Sequence, residues 1–197
     1  MTQRSILAGT APDVIVKVGA SVKVMGRDGD LVTAETNGRW GLKVERKKGS
    51  IEVQMGGSGQ VFVPSGSNLK VYAGNDIEVQ DIQGQVDAYS GFKLSLQNVT
   101  SLGNASAGWT MNLDCQTMIG DKAEFKAGSD IRFHVRDLTS AYIRVKDIGG
   151  YWEARIGGGE KSVSFKCGGD VTLVTDQKIE PLPPNYILGK VERPAAT

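Results

Sequence analysis

One histidine, two cysteines and six prolines are all that 197 residues contain of three residue types that dominate metal sites, disulfide frameworks and irregular structure. The lone His134 sits between Phe133 and Val135 at an outward position, which predicts a solvated imidazole with no second histidine for a zinc site or catalytic pair. Cys115 and Cys167 are too few for a disulfide framework and lie in strand-like sequence, which predicts thiols outside any disulfide. No apolar run approaches the roughly 18 residues of a membrane span, and the opening MTQRSILAGTAPD lacks the basic-then-apolar layout of a secretion signal. The expectation is a soluble chain that does not itself insert into membrane. An excess of one charge is also missing: Lys and Arg total 23 against 22 for Asp and Glu, a net charge of +1. That balance disfavours nucleic acid as a partner. There is no P-loop, nucleophile elbow or dinucleotide fingerprint.

What the chain has in quantity is glycine, 26 residues of it, among stretches where apolar and polar residues alternate. The combination suits many short strands joined by tight turns. Four consecutive segments share one layout: LKVYAGNDIEVQDIQG from Leu69, VDAYSGFKLSLQNVTS from Val86, ASAGWTMNLDCQT from Ala105 and AEFKAGSDIRFHVRDLTS from Ala123. Their glycines Gly74, Gly91, Gly108 and Gly128 are separated by 17, 17 and 20 residues, and Gly149 and Gly168 continue the series less regularly.

Each segment reads as a strand, a glycine corner, a second strand and a second corner. After the first corner, alternate residues form an inward set: Ile77 and Val79; Phe92, Leu94 and Leu96; Trp109, Met111 and Leu113; Ile131, Phe133 and Val135; Trp152, Ala154 and Ile156; Val171 and Leu173. Residues between them, such as Glu78, Lys93, Ser95, Asn112, Arg132 and Arg155, should face water. Before the corner, Leu69, Val71, Val86, Ala88, Phe125, Ile143, Val145, Val163 and Phe165 take the inward role. A small residue precedes the glycine at Ala73, Ser90, Ala107, Ala127 and Cys167, as a tight inside corner requires. At the second corner Ile82, Val99 and Leu138 follow Asp81, Asn98 and Asp137, which pairs a polar group for the turn backbone with an apolar plug for the core.

The architecture predicted is all-β, a single-domain parallel β-solenoid (β-helix) with two-strand rungs of about 17 to 21 residues. It divides into an N-terminal tail (1–13), a solenoid domain (14–176) with irregular coils over 14–65 and regular repeats over 66–176, and a C-terminal cap or tail (177–197). Within 14–65 the pieces VIVKV, SVKVM, DLVTA, WGLKVE, SIEVQM and QVFV read as strands. They are either early coils of the same stack or a hairpin-rich cap on its open end, and the sequence leaves both readings open. Residues 177–197 lose the alternation and carry Pro181, Pro183, Pro184 and Pro194 around Tyr186, Ile187 and Leu188. Such a segment laid across an open sheet edge blocks further pairing.

The stretch VFVPSGSNLKVYAGNDIEVQDIQGQVDAYSG resembles the bacterial adhesin-like β-solenoid family related to the head GIN domain, whose members run through V-P-x-G-x-x-L-x-V and S-G-D-I-x-V-x-x-V-x-G-x-V phrases. The likeness covers roughly Val22 to Thr175 and is densest from Phe62 to Leu96, with Val63 and Pro64 leading into the regular coils. It departs from the S-G-D corner at Gly91 and Gly108, where Phe92 and Trp109 follow directly. The resemblance implies a β-solenoid in a bacterial cytoplasm or cell envelope, and it brings no catalytic residues with it.

Several residues invite a sharper reading. Asp76, Asp130 and Asp170 follow corner glycines as G-x-D, a form similar to calcium-binding β-roll turns, but intervening repeats lack the aspartate and turn capping is the better reading. Trp109, Trp152 and Phe92 would suit a carbohydrate-stacking platform, yet their place in the inward set favours core packing. Outward Tyr72 and Tyr89 are the better contact candidates. The basic cluster ERKKG at Glu45 to Gly49 reads as a charged turn between strands, and the sequons at Asn98 and Asn104 as incidental.

The expected function is therefore a non-catalytic structural or interaction module, self-assembling through its ends or engaging a protein partner, with no catalytic, cofactor or metal residues. The alternative is a polysaccharide-acting β-helix enzyme using outward acids such as Glu78, Asp87, Glu124 or Glu153. Narrow coils filled by side chains leave no interior pocket for a small ligand.

Overall fold

The structure, a computed structural model, describes residues 1–38, 41–118, 122–135, 151–154, 162–169, 171–175 and 190–192. Among them every regular element is a strand, and no helix is long and apolar enough to cross a membrane. The first half contains β1 (Thr2–Leu7), β2 (Asp13–Val18), β3 (Val22–Arg27), β4 (Leu31–Thr36), β5 (Lys43–Lys47), β6 (Ser50–Met55), β7 (Gly59–Pro64) and β8 (Asn68–Ala73). Then come β9 (Ile77–Ser90), β10 (Leu94–Ala107), β11 (Met111–Met118), β12 (Lys122–Ala127) and β13 (Ile131–Val135). The last are β14 (Tyr151–Ala154), β15 (Ser162–Cys167), β16 (Val171–Thr175) and β17 (Lys190–Glu192). They form one mixed sheet that curls into a nearly closed, barrel-like wall.

Through the middle of the chain the pairing is parallel. Ile77, Leu94, Met111 and Ile131 lie side by side on β9, β10, β11 and β13, and so do Val79, Leu96, Leu113 and Phe133. Because side chains alternate with a period of two, matching partners in register puts every inward residue of one strand on an inward residue of the next. All eight are at most 2% exposed. On the preceding strands Ala73, Ser90, Ala107, Ala127 and Cys167 follow each other in register and are buried, as their small size before the glycine predicts.

The corner itself is a column of glycines, Gly56, Gly19, Gly74, Gly91, Gly108, Gly128 and Gly168. A Cβ on any of the last six would lie 1.9 to 2.5 Å from the carbonyl oxygen of its predecessor in the column. Only a residue without a side chain allows backbones to stack this closely.

The second corner is a bend within a strand and not a break between strands. β9 and β10 each run for 14 residues, with Asp81 and Asn98 in the left-handed region at φ of 59° and 53°. One left-handed residue re-aims the strand as a bulge does, and Ile82 and Val99 behind it are fully buried plugs. The polar side chains bond each other instead of their own turn, Asn98 Nδ2 donating to Asp81 Oδ1 at 2.7 Å.

The N-terminal region is where the pairing stops being purely parallel. β2 lies between β6 and β8, and β3 between β7 and β9, parallel to all four. β4 runs antiparallel to both β7 and β1, and β5 antiparallel to β6. Segment 14–65 thus holds both kinds of pairing, parallel at β2 and β3 and antiparallel at β4 and β5. Residues 2–7, expected as a tail, form β1. At the other end β17, from the segment expected as a cap, runs parallel to β16; the four prolines and Tyr186 to Leu188 lie outside the described residues.

Three expectations are corrected. Phe92 and Trp109 are not in the core but 46% and 50% exposed. Both precede Leu94 and Met111 in a bend, where the backbone turns and the two-residue alternation of a strand no longer holds. The coil expected between Gly128 and Gly168 is not interposed: β12 pairs directly with β15 and β13 with β16, while β14, which contains Trp152, lies antiparallel on β15. Gly149, Ile143, Val145, Leu138 and Asp137 lie outside the described residues. His134 is half-buried and not fully solvated, with Nδ1 3.5 Å from Oδ1 of Asp114, its register partner on β11.

Candidate functional site

Outward positions on the strands before the glycine column also stack in register: Gln54, Lys17, Tyr72, Tyr89, Ser106 and Lys126 on successive strands β6, β2, β8, β9, β10 and β12. Parallel strands stand about 4.8 Å apart, close to the stacking distance of aromatic rings. Tyr72 and Tyr89 accordingly lie 5.1 Å apart at 13° to one another. With Lys17, Gln54 and the glycines Gly19, Gly41, Gly56 and Gly74, they line an open groove of about 700 Å3.

The groove's charges are settled internally. Glu52 on β6 is only 4% exposed and accepts hydrogen bonds from Lys17 and Gln54, with Lys47 at 3.3 Å. The Lys17 ammonium chiefly, then the Gln54 amide, hold its carboxyl down to about 2 against an ordinary 4.5. Lys70 is raised above the usual lysine range by its hydrogen bond to Tyr72. Burial, with the Asp87 carboxylate behind it, pushes the Tyr89 phenol up, so its hydroxyl stays a donor.

Across the glycine column a second ladder carries Asn75, Phe92, Trp109 and Ser129. Phe92 N donates to Asn75 O at 3.1 Å, Trp109 N to Phe92 O at 2.8 Å, and Ser129 N to Trp109 O at 2.8 Å. The two exposed rings stack at 6.3 Å and 19°, with Lys93 Nζ 5.4 Å from the Phe92 centroid.

The remaining candidates are engaged in holding the wall together. Asp76 Oδ1 accepts the Lys93 amide at 3.2 Å, and the main-chain oxygens of Asp76 and Asp130 accept from Val22 and Met111. These bonds tie neighbouring strands to each other and do not cap the aspartates' own turns; Asp170 lies outside the described residues. Among the described residues no three His, Cys, Asp or Glu gather as a metal-binding group. Glu78 is 2.8 Å from Lys23, Asp87 Oδ1 accepts the Asn104 amide at 2.8 Å, and Glu124 is 2.7 Å from Lys126. Asn104 Oδ1 in turn accepts the Glu124 amide. The ERKKG cluster spans the end of β5, Glu45 to Lys47, and the tight turn after it, with Lys48 and Gly49 both left-handed at φ of 51° and 90°. Cys115 and Cys167 are buried and neither joins a disulfide.

The outward position of Tyr72 and Tyr89 is legible in the sequence, whereas the placement of Lys17 and Gln54 beside them is not. Their place beside the tyrosines depends on β2 entering the wall between β6 and β8, which no local signal reveals. No protein family, curated protein or solved structure matches the chain.

Proposed function

We propose that the chain is a non-catalytic interaction module of β-solenoid form, akin to the adhesin-like head GIN-type family, working through a rigid lateral face. The observation that carries this reading is the in-register run Ile77, Leu94, Met111 and Ile131 beside its glycine column. Strands stacked this way repeat each outward position at steps of about 4.8 Å, an arrangement suited to display. The displayed side chains are already tied to each other: Gln80 Nε2 donates to Gln97 Oε1 at 3.0 Å, and Asn98 to Asp81. Such preorganisation lowers the entropic cost of binding.

The lateral face is preferred to the ends. Lys43, Arg46 and Lys47 on β5, which pairs on one side only with β6, are the kind of charges that keep an edge strand from recruiting another. A non-catalytic role is preferred to polysaccharide cleavage because Glu78, Asp87 and Glu124 are each committed to a structural partner. The family resemblance favours a bacterial cytoplasm or cell envelope.

Light scattering after size exclusion across a concentration series, with negative-stain images, tests the choice of surface. A concentration-independent monomer of 21.0 kDa is the expected result. Rings or fibres would move the working surface to the stack ends.

A further inference from the structure

We infer that the two aromatic pairs astride the glycine column form a binding surface for a neutral polysaccharide chain. The inference rests on the interaction-module reading and gives that module its ligand class. Tyr72 and Tyr89 precede Gly74 and Gly91 by two residues, while Phe92 and Trp109 immediately follow Gly91 and Gly108. One stacked pair therefore stands on each side of the same bare corner. Two strand steps of about 4.8 Å, and three residues from Tyr89 to Phe92, give a strip on the order of 10 Å each way. That is room for about two sugar rings, beside a groove whose 700 Å3 falls in the range of about 300 to 1,000 Å3 usual for small-ligand sites.

The chemistry favours sugar over protein. Large apolar side chains exposed among the described residues are Met1, Leu7, Leu31, Phe92 and Trp109, of which Leu7 and Leu31 belong to β1 and β4 and Met1 precedes β1. Phe92 and Trp109 are thus an island of two aromatics. A stable protein interface buries about 800 Å2 on each partner around an apolar centre, more than two rings of about 150 to 250 Å2 each can supply.

Around the rings stand neutral donors and acceptors: Gln54 and Ser106 on one side, Asn75 and Ser129 on the other. The cations beside the rings are each engaged: Lys17 is paired with Glu52, Lys70 is hydrogen-bonded to Tyr72, and Lys93 Nζ lies 5.4 Å from the Phe92 centroid. A pyranose offers a C–H face to a ring and hydroxyls to amides, and it matches such a mixture without requiring charge. Ladder neighbours smaller than the rings, Asn75 before Phe92 and Ser129 after Trp109, flank the pair with space.

Affinity electrophoresis of the full chain through gels containing dextran, mixed-linkage β-glucan or galactomannan tests this. Retardation in at least one gel is expected, weakened tenfold or more in Trp109→Ala and Tyr72→Ala and unchanged in Arg4→Ala, on β1, which pairs with β4 away from the column. Far-UV spectra and unfolding midpoints check that the exposed-ring variants still fold. No retardation in any gel, or retardation equal in all variants, overturns the inference and leaves the interaction module standing. Reducing ends released from a retarding polysaccharide would instead overturn the non-catalytic reading while the binding surface stood.

Discussion

The middle of the chain and its N-terminal region share one core and one glycine column, yet they reach that arrangement by different routes. From β8 to β11 each strand lies on the one that follows it around the stack, and chain order and spatial order agree. From β1 to β7 they do not: β2 is enclosed by β6 and β8, strands that come later in the chain. Yet Gly19 and Gly56 occupy the same column as Gly74 and Gly91, and a Cβ on Gly19 would meet the Gly56 carbonyl oxygen as forbiddingly as one on Gly91 meets that of Gly74. Close backbone stacking at the corner is therefore a property of the wall, indifferent to the order in which the chain supplies its strands.

The largest effect that would break this comparison comes from the column itself. Gly91→Ala and Gly19→Ala each place a methyl against a carbonyl oxygen, at 1.9 and 2.4 Å, and backbone cannot move aside as a flexible side chain does. Both should lose about 3 kcal/mol in urea unfolding. Gly57→Ala, where a Cβ meets nothing within 4 Å, should stay within about 0.5 kcal/mol. A tolerated Gly19→Ala beside a damaging Gly91→Ala would separate the two regions.

The second effect belongs to the N-terminal region alone. Glu52, at about 2 against 4.5, takes up its proton at lower pH folded than unfolded. Its stabilisation is complete above about 4.5 and is lost as pH falls through 2. Glu52→Gln should be less stable at pH 7 and should flatten the decline measured between pH 5 and 2. An unchanged acid limb would show that other carboxylates set it.

Ser90→Ala sharpens the regular region. Ser90 is flanked in register by Ala73 and Ala107, and its buried Oγ has no hydrogen-bond partner. Alanine should raise stability by about 1 kcal/mol; a loss would mean that the hydroxyl is satisfied by water. Smallest of the set is Lys48→Asn in the turn after β5. Two successive left-handed residues make a type I′ turn, where Asn-Gly is favoured over Lys-Gly, so a gain of about 0.5 kcal/mol is expected from the same unfolding curves.

How far the sequence could be read follows from the same contrast. In the middle, the constant spacing of Gly74, Gly91 and Gly108 and the small residue before each made strands, inward faces and corner recognisable together. In the N-terminal region the residues before the column glycines are Val18 and Met55, both buried, so the small-then-glycine signature is absent where the column is present. Phe92 and Trp109 were misread for a local reason: the two-residue period belongs to strands, and both lie in the bend. Tyr72 and Tyr89 lie within strands, where the period held, and their outward position was readable. The groove they line was not, because its other wall comes from strands brought together over long chain separations.

Cross-strand nuclear Overhauser contacts in the isotopically labelled protein test the central claim most directly. Insertion of β2 into the wall predicts backbone contacts from Val16 to both Val53 and Val71, alongside those from Leu94 to Ile77 and Met111. Contacts from β2 to β3 in a simple antiparallel hairpin, with none to β6 and β8, would contradict it.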